Sequence, residues 1–246
     1  MANLKFKITQ DNISCGVAID KSDIEKAQKL RYDMLVMNYN NHNTNNNSTD
    51  ASEYDDICEH LIAVDETTGQ VVGTYRVLPS DLLPKDAKYI SEKEFDLTNL
   101  KNSGAGLVEL SRAVVHPDYR NGVVIKMLWR VLDTYRTVHH TRYLFGTASY
   151  HGTDVSKYAN SFAWLKDKYL VDEKLNCPPK SPNAPMGDVY DIVLAKQETP
   201  ALIRGYLTFG SWVSDGIYID KEFGSVDILT ILDLEHLNEA FWRRMK

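Results

Sequence analysis

An α/β fold, with helices on the faces of a mixed sheet, is the architecture this sequence predicts, and three observations lead there. The stretch from Gly106 to Val138 reads as strand, tight turn and long helix. Strand-like and helix-like segments alternate along the rest of the 246 residues. The composition, 43% hydrophobic and 25% charged, is that of an ordinary globular protein.

Taken in order, Leu4 to Thr9 alternates apolar and polar residues as a strand does, and Ile13 to Ile19 can pair with it across Asp11-Asn12. Ser22 and Glu25 have capping-box spacing, and behind them Ile24, Ala27, Leu30, Met34 and Met37 form one helical stripe. Asn38 to Asp50 is almost all Asn, Thr, His and Ser, so a mobile surface loop is expected at about 39–51. Glu53, Asp55 and Asp56 follow it. Cys58 to Val64 and Val71 to Leu78 make a hairpin, and alternation puts Val72, Thr74, Arg76 and Leu78 on one face. Pro79 to Ser103 is irregular, with Leu82, Leu83, Tyr89, Phe95 and Leu97 as core contacts. Leu107 to Val115 is a buried strand, stopped at His116-Pro117-Asp118 because proline offers no N–H to a ladder. After Asn121-Gly122, the spacing of Val124, Met127, Leu128, Val131, Leu132 and Tyr135 predicts a helix over Val123 to Val138. Tyr143 to Ser149 is the next strand, and Thr153 or Asp154 caps a helix reaching about Tyr169. Asn176 to Pro185 is a proline-rich loop, Asp188 to Leu194 has strand character, and Pro200 starts a short helix. Ile217 to Ile219 and Val226 to Leu232 read as strands, and Glu235 to Arg243 as a helix. No repeat or convincing linker divides the chain, so one domain over 1–246 is expected.

The net charge of -6 disfavours non-specific nucleic-acid binding. Cys15, Cys58 and Cys177 are odd in number and lack metal-ligand spacing, which fits a reducing cytosol better than a disulfide scaffold. The histidines show no ligand spacing either, so no metal is expected. Ser111 and Ser149 lack the neighbouring histidine motif of a serine nucleophile. No basic segment leads into an apolar one at the start, and no apolar run reaches the roughly 18 residues of a spanning helix. A cytoplasmic protein is expected.

Charges on apolar strands are the candidates for function, because a buried charge needs a partner or a task. Glu109 and Arg112 lie in the strand before the long helix, Arg76 lies in the hairpin, and Arg31 sits one position off the first helical stripe. The strand residues read equally well as a buried ion pair, and Arg31 as a rim charge. Arg120, Lys126 and Arg130 form a basic strip at the start of the long helix, which is either a solvated face or a dock for an acidic partner.

The strand, the turn Val115-His116-Pro117-Asp118-Tyr119-Arg120-Asn121-Gly122 and the helix resemble the acyl-donor-binding core of the GNAT N-acyltransferases. Glu109-Leu110-Ser111-Arg112 resembles the branch that takes acyl chains from acyl carrier protein. Three more fragments stand in that branch's order: Lys29 to Tyr32, Glu53 to Asp55, and Thr74 to Pro79. In its lactone synthases the residues matching Arg31, Asp55, Arg76, Glu109 and Arg112 surround the acceptor. This chain departs from them. Leu35 and Asn41 stand near the places of an aromatic pair, and Ser52 stands where an acidic residue is usual. The second half, Leu144 to Ser149, His151 to Asp154 and Pro200 to Leu207, resembles the ornithine N-acyltransferases.

The resemblance implies a GNAT-like mixed central sheet with a β-bulge in the central strand. It implies an N-acyltransferase moving a (3-hydroxy)acyl chain from acyl carrier protein to the α-amine of an amino acid, ornithine first. The alternatives are another acceptor, as in N-acyl amino acid or acyl-homoserine-lactone synthases, and a non-catalytic module that binds acyl chains or carrier protein. Aminolysis of a thioester needs a base, for which Glu109 is the first candidate and Asp55 the second; desolvation makes a carboxylate a better proton acceptor. Glu109 and Arg112 point to opposite faces of a regular strand, and the family's bulge would bring them to one side and free an N–H for the oxyanion. Arg31, Arg76 and Arg112 are candidates for gripping the acceptor carboxylate, since guanidinium offers a planar fork. Val114, Val115, Arg120, Gly122 and Val123 would hold the donor at the helix start. Only Gly122 is left of the family's pyrophosphate-loop glycines, which fits the phosphopantetheine arm of acyl carrier protein better than coenzyme A. Lys126 and Arg130 would dock the carrier, and no cofactor is bound tightly. The Asn-rich loop is then a neutral insertion or a lid over an acyl tunnel. A lipid product would bring the enzyme peripherally to the inner face of the membrane.

Overall fold

The computed structural model describes residues 2–37 and 48–238. Most of the expected 39–51 loop therefore lies outside the described residues. In chain order the elements are β1 (Leu4–Gln10), β2 (Ile13–Ala18), α1 (Lys21–Arg31), β3 (Glu59–Asp65), β4 (Gln70–Pro79), α2 (Thr98–Lys101), β5 (Gly106–Val115), α3 (Val123–Val138), β6 (Thr141–His151), α4 (Ala159–Tyr169), β7 (Asn183–Ala184), α5 (Ile192–Glu198), α6 (Ala201–Phe209), β8 (Trp212–Val213), β9 (Ile217–Asp220) and β10 (Ser225–Asp233). The strands form the mixed, largely antiparallel and open arrangement flanked by helices that the sequence predicts. They fall into two compact units. Among the described residues, the first comprises those up to 87 together with 110–141, and the second comprises 88–109 with 142–238.

In the first unit β1, β2, β3 and β4 form an antiparallel meander, and the second half of β5 lies beside β4. β4 is buried from Val71 to Pro79, which explains why it reads as a nearly continuous apolar run. Helices α1 and α3 both pack on this sheet. Gly73 lets α3 sit close: a Cβ there would lie 2.5 Å from Val124 Cγ1 and 3.2 Å from Leu128 Cδ1. Mid-strand in β5, Arg112 takes a left-handed backbone conformation with φ 53°. This is unusual for a non-glycine residue in a strand, and it breaks the two-residue alternation of side chains.

In the second unit β6, β10, β9 and β7 pair antiparallel in that order, with β8 on β10. Its core gathers Tyr150, Phe162, Leu165, Ile203, Val226 and Ile228. A buried hydroxyl chain runs from Tyr150 through Ser161 (2.7 Å) to Thr199 (2.6 Å), which donates to the Ala195 carbonyl.

Several local expectations are corrected. Ser22 lies inside α1 rather than capping it, because the N-cap is Asp20. Met37 and Leu82 are exposed, not core residues. Asp188 to Leu194 is not a strand: the Asp191 carboxylate accepts from the N–H groups of Val193 and Leu194 and starts α5. Residues 235–238 are not helical, and the rest of the expected final helix lies outside the described residues.

Candidate functional site

The first unit gathers Arg31, Arg76, Arg112 and Asp55, four of the predicted site residues, into one charged array. Arg31 is the last residue of α1, where the helix widens into a π-turn over Tyr32–Val36. Its side chain is 0% exposed. Nη2 donates to Asp55 Oδ1 at 2.8 Å and to the Asp50 carbonyl at 2.5 Å, and Nε lies 3.0 Å from Asp50 Oδ2 without hydrogen-bond alignment. Arg76, on β4, is 2% exposed. It donates to Ser52 Oγ at 2.8 Å and to Ser111 Oγ at 3.2 Å, lies 3.5 Å from Asp55 Oδ1, and stacks over the Tyr54 ring. Burial and then the neighbouring Arg112 charge weaken the hold of Arg76 on its proton. Arg112 donates to Asp50 Oδ2 at 2.9 Å, and its side chain is 29% exposed.

Asp55 joins this array through a 3-10 turn, Glu53–Asp56. Its Oδ2 accepts from the Ser52 N–H at 2.7 Å, closing the turn's cap, while Oδ1 faces Arg31 and Arg76. Burial pushes the Asp55 carboxyl up, but Arg31, Arg76 and the Ser52 N–H outweigh it and hold it below the usual carboxylate range. A carboxylate so engaged is a better tie between guanidinium groups than a proton acceptor.

Sequence reasoning missed two members. Asp50 supplies the second carboxylate, shared by Arg31 and Arg112. It is the last residue of the Asn-rich run, and composition hid it. His60, on β3, lies directly across from Arg76 in the hairpin register, so the pairing of the two strands was the signal that could have found it. Ser52, noted as a departure from the acidic residue of the lactone synthases, instead accepts from Arg76.

The residues expected to hold the donor lie at the end of β5 and in the turn into α3, also in the first unit. Val114 is buried among Ala27, Leu30, Ile62, Val64 and Val71, while Val115 is half-buried. Arg120 Nε turns back onto the Val115 carbonyl at 2.9 Å. Gly122 is the N-cap with φ 91°, and Asn121 Oδ1 accepts from the Val123 N–H at 3.0 Å. Tyr119 OH donates to Asp65 Oδ2 at 2.7 Å and ties the turn to the β3–β4 hairpin. The opening turn of a helix carries N–H groups without intrahelical partners, a natural seat for phosphate. On the same helix Lys126 is exposed and Arg130 half-buried.

Glu109 belongs to the second unit. It is 1% exposed, and its two oxygens accept from the N–H groups of Ile90 (2.8 Å) and Ser91 (2.6 Å) at the start of the turn Ile90–Lys93. The second unit also holds Glu94, Asp220 and Asp227. Among the described residues these three could hold a metal ion, since their carboxylate oxygens lie within 4.8 Å of one another.

The acetyltransferase (GNAT) domain family matches residues 30–130, which include the array and the α3 turn. An L-ornithine N(alpha)-acyltransferase of Rhodobacter capsulatus is 34% identical over 239 residues, covering 91% of this chain and 90% of that protein. One from Brucella abortus is 27% identical and covers 94% of this chain and 87% of its own. The solved structure of FeeM, an N-acyl amino acid synthase from uncultured soil microbes, superposes with a TM-score of 0.54 at 10% identity, over 92% of this chain and 94% of that one, so the two share a fold. Identity of this extent along nearly the whole length shows that the chain belongs to the L-ornithine N(alpha)-acyltransferase family of GNAT-fold acyltransferases.

Proposed function

We propose that this protein transfers an acyl chain from acyl carrier protein to the α-amine of ornithine. The observation that carries the acceptor half is Arg112. Of the three arginines in the array it is the one with substantial exposure, and the Asp50 carboxylate holds its Nε. A pre-oriented guanidinium suits the planar carboxylate of an amino acid. The relatives' acceptor, ornithine, supports the choice of amino acid.

In the proposed reaction the neutral α-amine attacks the thioester carbonyl, a C–N bond forms and the C–S bond breaks. The proton lost by nitrogen ends on the departing thiolate, which leaves as the free thiol. The turn before α3 takes the phosphate of the phosphopantetheine arm on backbone N–H groups, and Lys126 with Arg130 meets the acidic carrier. The product is an amphiphile, and a peripheral contact would deliver it to the inner face of the membrane. No helix of the described residues is long and apolar enough to cross one.

The test is thiol release from one acyl-carrier donor with ornithine, ornithinamide, lysine and S-adenosylmethionine. Ornithinamide keeps both amines and loses only the carboxylate charge. Leaving a charge partner unpaired costs about 2–5 kcal/mol, so kcat/KM should fall at least about tenfold. One added methylene is worth roughly 1–3 kcal/mol, so lysine should be a poor but measurable acceptor. Equal use of ornithine and its amide would remove the carboxylate grip, and use of S-adenosylmethionine alone would place the activity with the lactone synthases.

A further inference from the structure

We infer that His60 is a positioning residue for the acceptor-binding arginine, acting through Arg31 and Asp50. The inference rests on the proposed carboxylate grip and adds the residue that sets it. His60 is 1% exposed, so its ring nitrogens meet protein rather than water. Nδ1 lies 3.4 Å from Arg31 Nη1, and Nε2 lies 3.4 Å from the Asp55 carbonyl and 3.6 Å from Asp55 Oδ1. Guanidinium has donors only. Nδ1 must therefore accept, and the ring proton must sit on Nε2, where the Asp55 oxygens receive it. One tautomer of the neutral ring satisfies both contacts.

From there the contacts run outward. Arg31 is shared between Asp55 and Asp50, and Asp50 in turn orients Arg112. Asp55 ties the same system to Arg76. His60 thus supplies the acceptor that Arg31 Nη1 needs without adding a third negative charge. A carboxylate at this place would neutralise the array, and an apolar side chain would take from a buried cationic donor the acceptor it meets among the described residues.

Burial and then the Arg31 charge lower the proton affinity of His60 against the opposing pull of Asp55, in keeping with a neutral ring. Arg76 faces it from β4 and acts in the same direction as Arg31.

Two measurements test the inference. The first is independent of any substrate. In protein labelled with nitrogen-15 histidine, the signal assigned by its loss in His60→Asn should report a neutral ring with the proton on Nε2 between about pH 6 and 8. An imidazolium near neutral pH, or a proton on Nδ1, would overturn the inference. The second compares His60→Leu with His60→Asn, whose amide oxygen can stand where Nδ1 stands. Leaving a buried charged donor without its acceptor costs a factor of about ten or more in the equilibrium it supports. His60→Leu should raise the KM for ornithine by that factor, with kcat and the KM for acyl carrier protein changed less than about threefold. His60→Asn should recover most of the loss. Unchanged acceptor KM in His60→Leu would sink the idea. So would an equal, parallel loss in both variants and all three constants, because a merely structural residue behaves that way. If the wild-type protein uses a different amino acid, the same comparison applies with that acceptor. If it acylates none, the proposed activity fails while the tautomer still decides the role of His60.

Discussion

Glu109 binds two backbone N–H groups with its two oxygens, so replacing it probes structure and chemistry together. Glu109→Gln turns one acceptor into a donor that faces another donor. The expected cost is about 1–3 kcal/mol of stability, read as a lowered denaturation midpoint. If Glu109 also takes the amine proton, turnover should fall about 10²–10⁴-fold, well beyond what that destabilisation explains. The deficit should shrink as pH rises, because more acceptor amine is then already neutral. Lost stability with near-normal turnover at neutral pH would leave Glu109 as an anchor for the Ile90–Lys93 turn and nothing more. Glu109, Arg76 and Arg112 were legible in the sequence because a charge inside an apolar strand stands out. His60 and Asp50 were not, because their partners are distant along the chain. His60 meets a helix 29 residues upstream and Asp50 a strand 62 residues downstream.

Helix α3 was legible to its ends because Gly122 precedes a dense apolar stripe. The helix α5 was misread because Ile192 and Val193 favour strands, whereas the Asp191 cap decides the local geometry. What the stripe of α3 could not reveal is how close the helix comes to β4, since that depends on an absent side chain. Gly73→Ala places a methyl against Val124, a stiff β-branched residue. Overpacking of this kind costs about 1–3 kcal/mol. The start of α3 should move with it, so the KM for acyl carrier protein should rise more than the KM for ornithine. A separate expectation concerns the outer face of the helix. Lys126→Glu with Arg130→Glu should raise the carrier-protein KM and flatten its salt dependence, while acylpantetheine is used as well as by the wild type. Equal impairment with both donors would deny the docking role.

Across the whole molecule, acid should act in two stages. His60 is held below its ordinary value of 6.5 in the folded state, so the unfolded chain takes up the proton first. Stability is therefore complete above about pH 6.5 and begins to fall beneath it. Asp55 and Asp65 are held low as well, Asp65 at about 2 by the Tyr119 hydroxyl. Their contributions are present above the ordinary aspartate value of 3.8 and are lost as pH drops through and below it. Denaturant midpoints measured from pH 8 to 3 should show both declines, and His60→Asn should abolish the upper one. A flat profile between pH 7 and 5 in the wild type would contradict the buried neutral histidine. At this scale the sheet with its flanking helices was legible from the alternation of elements. The two units were not, because the division falls inside one continuous strand, β5, between Glu109 and Leu110, where no turn or proline marks it.

The graded burial of the array has a consequence for covalent labelling. An α-dicarbonyl reagent condenses with guanidinium groups it can reach. Arg31 and Arg76, 0% and 2% exposed, should escape adduct formation in the folded protein, while Arg112, 29% exposed, should be derivatised. Peptide mapping by mass would then read the array like a depth gauge. Ornithine should shield Arg112 alone, and ornithinamide should leave it open to attack.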